Sequence, residues 1–136
     1  MSAIVDTVIW SLALRRDASR QNPQVVEILQ SLIRTQQVAI FGSIRQEILS
    51  GIRHQTQFDR LRNVLRAYPD IVLSIDDYEL ASEFFNTCRS RGIQGSNTDF
   101  LICAVAHRRN YQIFTTDRDF ENFQPYIPIT LIQVKA

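Results

Sequence analysis

The stretch AIVDTVIW, residues 3–10, decides how the rest of the chain is understood. Ala3, Ile4 and Val5 have the make-up of a buried strand, and Val8, Ile9 and Trp10 continue the apolar character beyond it. Asp6 interrupts them, with Thr7 behind it. Ionised carboxylates are rarely buried unless they are paired or bind a metal. An acid at the end of an inner strand is therefore held there for something other than packing.

Outward from this stretch, short β-branched runs alternate with longer segments of helical period. The strand-like runs are Ala3–Asp6, Val38–Phe41, Ile71–Ser74, Gln112–Thr115 and Ile129–Val134. Helix-like segments lie near Thr7–Asp17, Pro23–Gln36, Ile44–His54, Gln57–Tyr68, Asp77–Arg91, Thr98–Arg109 and Arg118–Phe123. Ser43 with Gln46, Asp76 with Glu79 and, more weakly, Ser96 with Asp99 have capping-box spacing. Pro23 suits the first turn of its helix, and Gly92 is placed to end the long helix before it. Leu80, Phe84 and Cys88, with Ala81 and Phe85 beside them, form the stripe of a helix packed on a sheet, which assigns these aromatics to the core. Strands alternating with helices predict an α/β fold with a mostly parallel central sheet covered on both faces. Such sheets bind ligands beyond the carboxyl ends of their strands, where strand order reverses. Asp6 ends the first strand and Asp117 follows the fourth, so both acids fall on one sheet edge.

Composition sets the remaining bounds. At 136 residues the length fits one domain, 1–136, with 45% hydrophobic and 21% charged residues as in an ordinary globular protein. No apolar run reaches the ~20 residues of a membrane span, and the start lacks the basic region of a secretory signal. Cys88 and Cys103 lack CxxC spacing and are expected as buried or half-buried thiols in a reducing cytosol. Of the 15 basic residues all but Lys135 are Arg, whose planar fork suits phosphate and carboxylate partners. A net charge of +1 argues against tight, sequence-blind binding to long duplexes.

Four stretches carry acids that surface solvation does not readily explain. Asp6 follows a strand directly. Glu47 lies in SIRQEILSGI among Ile44, Ile48, Leu49 and Ile52. Asp99 lies in SNTDFLICAVA, in the first turn of the most apolar helix, and Asp117 and Asp119 lie in TTDRDF. Taken singly, each has an ordinary alternative: a first-turn acid favoured by the helix dipole, a cap, or a solvated helical Glu. Together at one sheet edge they would repel one another and raise their pKa values, and a divalent cation removes that cost. Oxygen-only ligands favour Mg²⁺ or Mn²⁺ over zinc, and Mg²⁺ completes its shell with water and phosphate, which points to phosphoryl chemistry. Thr7, Ser96, Asn97 and Thr115 are placed to orient carboxylates or water, with ordinary capping and turn chemistry as the competing account.

The segments IVDTVIW, EILSG, SNTDFLICAVA and IFTTDRDF resemble, in order and spacing, the PIN-domain ribonucleases, and in particular the VapC-type toxins of toxin–antitoxin pairs. The resemblance covers essentially the whole chain. It implies that Asp6, Glu47, Asp99 and Asp117 form the catalytic acidic site, with Asp6, Asp99, Asp117 and Asp119 as metal ligands. Asp119 matches the second acid of a D-x-D-F ending, Thr7 the hydroxyl after the first acid, and Thr115 the hydroxyl before the fourth. Asn97 and Thr98 match small polar residues before the third. Val8 departs from the pattern, where Ser is common. The resemblance further implies a three-layer α/β/α sandwich, Mg²⁺ or Mn²⁺ dependence, endonucleolytic RNA cleavage, a homodimer, a cognate antitoxin and a cytoplasmic location.

A site this acidic repels RNA, so backbone binding falls to basic side chains elsewhere: Arg15, Arg16 and Arg20, and His54, Arg60, Arg62 and Arg66. Arg15, Arg62 and Arg66 are the named candidates, the last two sharing a helix face at i, i+4; an ordinary solvated basic face is the alternative. Two rival functions remain. A Mg²⁺-dependent phosphatase with Asp6 as nucleophile would want an acid two residues on, where Val8 stands. A catalytically silent PIN-like binding module would have no physical use for four retained acids.

Overall fold

In the computed structural model residues 1–134 are described. Strand β1 (Ala3–Val5) is fully buried and forms the middle of a three-stranded parallel sheet ordered β2-β1-β3, with β2 at Val38–Ala39 and β3 at Gln112–Phe114. Ile4 is paired with Ala39 on one side and Ile113 on the other. A strand covered on both faces has no solvent side, which is why Ala3–Val5 is a continuous apolar run and not an alternating one. Parallel neighbours require crossovers, here supplied by helices α1 (Thr7–Ala13), α2 (Ala18–Gln21), α3 (Pro23–Arg34), α4 (Gly42–Leu49), α5 (Gln55–Leu65), α6 (Ile75–Ser90) and α7 (Asn97–Arg109), with α8 (Asp119–Phe123) after β3. The architecture is the α/β sandwich expected from the alternation of elements. Because the chain leaves β1 to one side for β2 and later arrives on the other for β3, strand order reverses at the carboxyl end of β1, where Asp6 stands.

Two expected strands are reduced to single bridges. Ile71–Ser74 forms no strand; the one bridge there, Asp70 to Ile40, lies just before it, while Ile129–Val134 contributes the bridge of Leu131 to Ile113. Both segments follow a proline and lie at a sheet edge, and Val72 is 89% exposed, so apolar burial does not enforce their pairing. The helix expected over Thr7–Asp17 ends at Ala13 and resumes as α2, because the intervening Leu14–Asp17 is exposed and offers no stripe to the core. The helix expected over Ile44–His54 stops at Leu49, before Gly51 at φ +85°.

Of the three capping patterns, Ser96 with Asp99 forms with both arms made. Ser43 with Gln46 does not form, since α4 starts two residues earlier than that box requires and Phe41 occupies its N-cap. At α6 the bond is made two residues earlier than expected, with the Asp77 carboxylate accepting the Ser74 N–H at 2.8 Å. Pro23 opens α3 and Gly92, at φ +74°, closes α6, with its N–H bonded to Arg89 O and that of Ile93 to Cys88 O at 2.9 Å each.

Helix α7 is the centre of the molecule: Phe100 to Ala106 are all buried, so it is apolar all round. It packs on α6 through Ala81, Phe84 and Cys88, the stripe assigned to the core, and against β1 and β3. Phe100 meets Phe123 at 4.7 Å between ring centroids, and Phe123 meets Phe120 at 5.4 Å. Three buried aromatics of this kind, each contributing about 1.5–3 kcal/mol, clamp the segment after β3 onto the start of α7. Both thiols are free and buried. At the opposite end of α7, Arg108 and Arg109 converge on Asp77, which is fully buried. The Arg109 guanidinium holds the Asp77 carboxyl well below the usual carboxylate range. No helix among the described residues is long and apolar enough to cross a membrane.

Candidate acidic site

Asp6 continues β1 by one hydrogen bond, its N–H donating to Phe114 O at 3.0 Å, and then turns the chain into α1 as its N-cap. Cap geometry aims its carboxylate at the first turn, where Oδ1 accepts the Thr7 N–H at 2.7 Å. Oδ2 accepts the Thr115 hydroxyl at 2.8 Å. The Trp10 indole N–H pins the preceding carbonyl, Val5 O, at 3.2 Å. With 5% of its surface exposed, Asp6 has its carboxyl pushed up to about 6, chiefly by burial and further by the charges of Asp99 and Asp117, against the pull of the Thr115 and Thr7 bonds.

Thr115 joins the two halves of the site. It is the residue directly after β3, and while its hydroxyl donates to Asp6 its oxygen accepts the Asp117 N–H at 3.0 Å. Asp117 Oδ1 in turn accepts the Asp119 N–H at 2.9 Å. One chain of hydrogen bonds thus runs from Asp6 through Thr115 and Asp117 to the backbone of Asp119. From the other direction α7 brings Asp99, whose Oδ2 accepts the Ser96 N–H at 3.2 Å while its own N–H donates to Ser96 Oγ at 3.0 Å. The capping role of Asp99 is real, yet it does not exhaust the residue. Burial raises its carboxyl, the Ser96 bonds pull it back, and Asp117 and Glu47 raise it again.

Asp99, Asp117 and Asp119 each offer a carboxylate oxygen lying within 4.8 Å of the others. That spacing is close to twice a metal–oxygen distance of ~2.1–2.5 Å, as expected of ligands on one hard cation. Asp6 lies outside this group of three but is tied to it through Thr115. Glu47, on α4, is exposed and also outside the group, although its charge is felt at Asp99. The hydroxyl of Thr7, the residue after Asp6, is buried and has no hydrogen-bond partner among the described residues. All of these donors are oxygens, so the set fits Mg²⁺ or Mn²⁺ and not a thiolate or imidazole site.

The remaining predicted residues are more dispersed. Asn97 opens α7 and lines an open cavity of about 410 Å³ with Tyr78 and Ser43. Arg15 is exposed between α1 and α2; Arg62 lies in the last turn of α5, 3.4 Å from Asp59, and Arg66 caps that helix. None of these three arginines pairs with an acid of the site among the described residues. Sequence reasoning passed over Arg118, which lies between the two acids of TTDRDF and lines a larger cavity that reaches Asp117. Its place between two site acids was the available signal.

The family described as PIN domain matches residues 3–124. No curated protein matches the chain. Among solved structures, VapBC2 from Rickettsia felis bound to a DNA fragment from their promoter has a chain 20% identical, with a TM-score of 0.77 over 97% of this chain and 98% of that one. FitAcB from Neisseria gonorrhoeae gives 17% identity and a TM-score of 0.76 over 96% of each chain. A toxin–antitoxin complex from Klebsiella pneumoniae gives 22% and 0.63 over 88% of this chain and 90% of that one. At these identities the likeness is one of fold.

Proposed function

The chain belongs to the PIN-domain family, and from that premise we propose that it is a metal-dependent endoribonuclease, the single-domain toxin of a toxin–antitoxin pair. The observation that carries this reading is the convergence of Asp99, Asp117 and Asp119 within 4.8 Å, with the buried Asp6 joined to them through Thr115. A cluster of like charges on a sheet edge is costly unless a cation completes it.

Asp6, Asp99, Asp117 and Asp119 are the residues that would hold Mg²⁺ or Mn²⁺. A divalent cation bound there supplies charge neutralisation at the scissile phosphate and makes water a better nucleophile. The chain's own groups do the rest. Thr115 fixes the rotamer of Asp6 and the backbone position of Asp117 together, so that two acids from strands paired in the sheet keep one geometry. The Phe100–Phe123–Phe120 cluster anchors the segment bearing Asp117 and Asp119. Glu47 approaches from α4 as an exposed carboxylate and is assigned to receiving the proton of the attacking water. Water oxygen then bonds to phosphorus as the bond to the leaving ribose oxygen breaks. Arg15, Arg62 and Arg66 are assigned to RNA phosphates. The neighbours that are toxin–antitoxin complexes support a small antitoxin as partner, and the homodimer and cytoplasmic location belong to the same proposal.

The test is cleavage of a mixed-sequence single-stranded RNA by purified protein in Mn²⁺ or Mg²⁺, in EDTA, and with Asp117→Asn. Cleavage that needs the cation and drops at least about a hundredfold in the variant supports the proposal. Folded protein that neither cleaves RNA nor takes up Mn²⁺ would sink it.

A further inference from the structure

The carboxylate cluster opens sideways into a cavity of about 750 Å³ between the start of α3 and the segment after β3. Asp117 is part of its wall, so whatever occupies it lies next to the acidic site. The polar lining is unusual for a site whose chemistry is anionic: Gln21, Asn22, Gln24 and Gln133 supply four neutral amides, and Arg118 a single cation. Val25, Leu131 and Ile132 supply apolar wall. Asn22 stands at the N-cap of α3, where an Asn side chain ordinarily bonds the helix, yet its side chain makes no capping bond.

That lining selects by chemistry. Asp117 and Glu121 disfavour a free anion deep in the cavity, and a purely apolar guest would leave the half-buried Asn22 and Gln24 amides without partners. A flat, neutral ligand with donors and acceptors on its edge and apolar faces satisfies both. The volume lies within the ~300–1,000 Å³ of small-ligand sites. We infer that this cavity is a nucleobase subsite: an unpaired base of the RNA, adjoining the phosphate at the acidic cluster, is held by the amides of Asn22, Gln24, Gln21 and Gln133, with Arg118 on the backbone phosphate beside it. Single-stranded RNA is read in this way, by hydrogen bonds to the edges of splayed bases and by packing on their faces, and Asn and Gln amides match base edges bidentately. The inference rests on the nuclease reading above and adds to it the source of sequence preference.

The experiment compares the protein with Asn22→Ala, Gln24→Ala, Gln133→Ala and the triple variant on a randomised single-stranded RNA library in Mn²⁺, sequencing the cut ends. The expected result is a base preference at one position adjoining the cut. The triple variant loses that preference, with kcat/KM down roughly tenfold or more through KM, while the need for Mn²⁺ is unchanged. An unaltered preference in the triple variant overturns the inference. A second measurement separates this from failure of the nuclease reading: binding of a fluorescent mixed-sequence hexaribonucleotide in Ca²⁺. If the parent protein neither cuts RNA nor takes up Mn²⁺, the nuclease reading fails, and tenfold weaker binding by the triple variant still sustains the subsite. Equal binding, or none by the parent, overturns it. Gln133→Ala, exposed and outside every helix and strand, keeps the comparison meaningful should the α3 variants melt early.

Discussion

Replacing Asp6 by Asn should make the metal-free protein more stable at neutral pH, and less able to hold a cation. The carboxyl titrates near 6 in the fold against an ordinary value of 3.8, with burial as the main cause. About 2 pH units at 1.36 kcal/mol each make the ionised form cost about 3 kcal/mol at pH 7.5. Asn removes that cost. Its oxygen still accepts the Thr7 N–H, but its amide must meet the Thr115 oxygen, which then has to turn its own proton away. That rearrangement costs about 1 kcal/mol. The net gain is about 1–2 kcal/mol, or about 3–8 °C in Tm for a chain of this size. The pH dependence has a definite sign. Because the folded pKa is raised, the cost is fully present above about 6, shrinks as pH falls toward 3.8 and vanishes below it, where both states are protonated. The assay is thermal melting in EDTA at pH 7.5 and pH 4, repeated in saturating Mn²⁺. The Asp6→Asn protein should melt higher at pH 7.5 and lose that advantage at pH 4. It should also gain less from Mn²⁺ than the parent, whose cation-bound state is favoured by about 2.7 kcal/mol at a hundredfold excess over Kd. A variant equally destabilised at both pH values would refute the desolvation argument.

Thr115→Val keeps shape but deletes the hydroxyl joining Asp6 to Asp117, so stability should fall by about 1–3 kcal/mol and Mn²⁺ affinity should weaken, read by urea melts and metal titration. Asp77→Ala strands Arg108 and Arg109 at the far end of α7 and should cost about 3–5 kcal/mol; the carboxylate whose pKa it removes is lowered by those arginines, so its contribution is present above 3.8 and is lost only in strong acid. Any loss of cleavage by this variant should track its unfolded fraction. Gly95→Ala would place a Cβ 2.5 Å from Phe123 Cζ and 3.0 Å from the Phe100 ring, disturbing the clamp on Asp117 and Asp119. A drop of about 1–3 kcal/mol in urea unfolding, with weaker Mn²⁺ binding, is expected.

Much of the fold was legible because it is encoded locally. An all-apolar triplet ending in Asp, and helices whose apolar residues keep a 3.6 period, specify buried parallel strands with helical crossovers whatever their partners turn out to be. The Ser96–Asp99 box, Pro23 and Gly92 were equally local, and each forms where its chemistry places it. The errors lie where burial, not propensity, decides. Ile71–Ser74 and Ile129–Val134 have strand composition, but at the sheet edge the first is bridged only through the preceding Asp70 and the second only through Leu131. Asp76 with Glu79 has the right spacing for a cap; the two arginines 31 and 32 residues beyond Asp77 draw that acid inward instead.

The site divides in the same way. That Asp6, Glu47, Asp99, Asp117 and Asp119 stand out was visible in the sequence, because each breaks an apolar context or follows a strand. Sequence also determined that the donors are all oxygens. Tertiary structure alone decided which of them meet: Asp99, Asp117 and Asp119 share one space, Asp6 enters through a hydroxyl 109 residues away, and Glu47 stays outside. It alone brought Gln21, Asn22 and Gln24 to face Gln133. The physical reason is that propensity and periodicity act over a few residues, whereas carboxylate–carboxylate distances are set by strand register and by the aromatic packing that holds the strand ends in place.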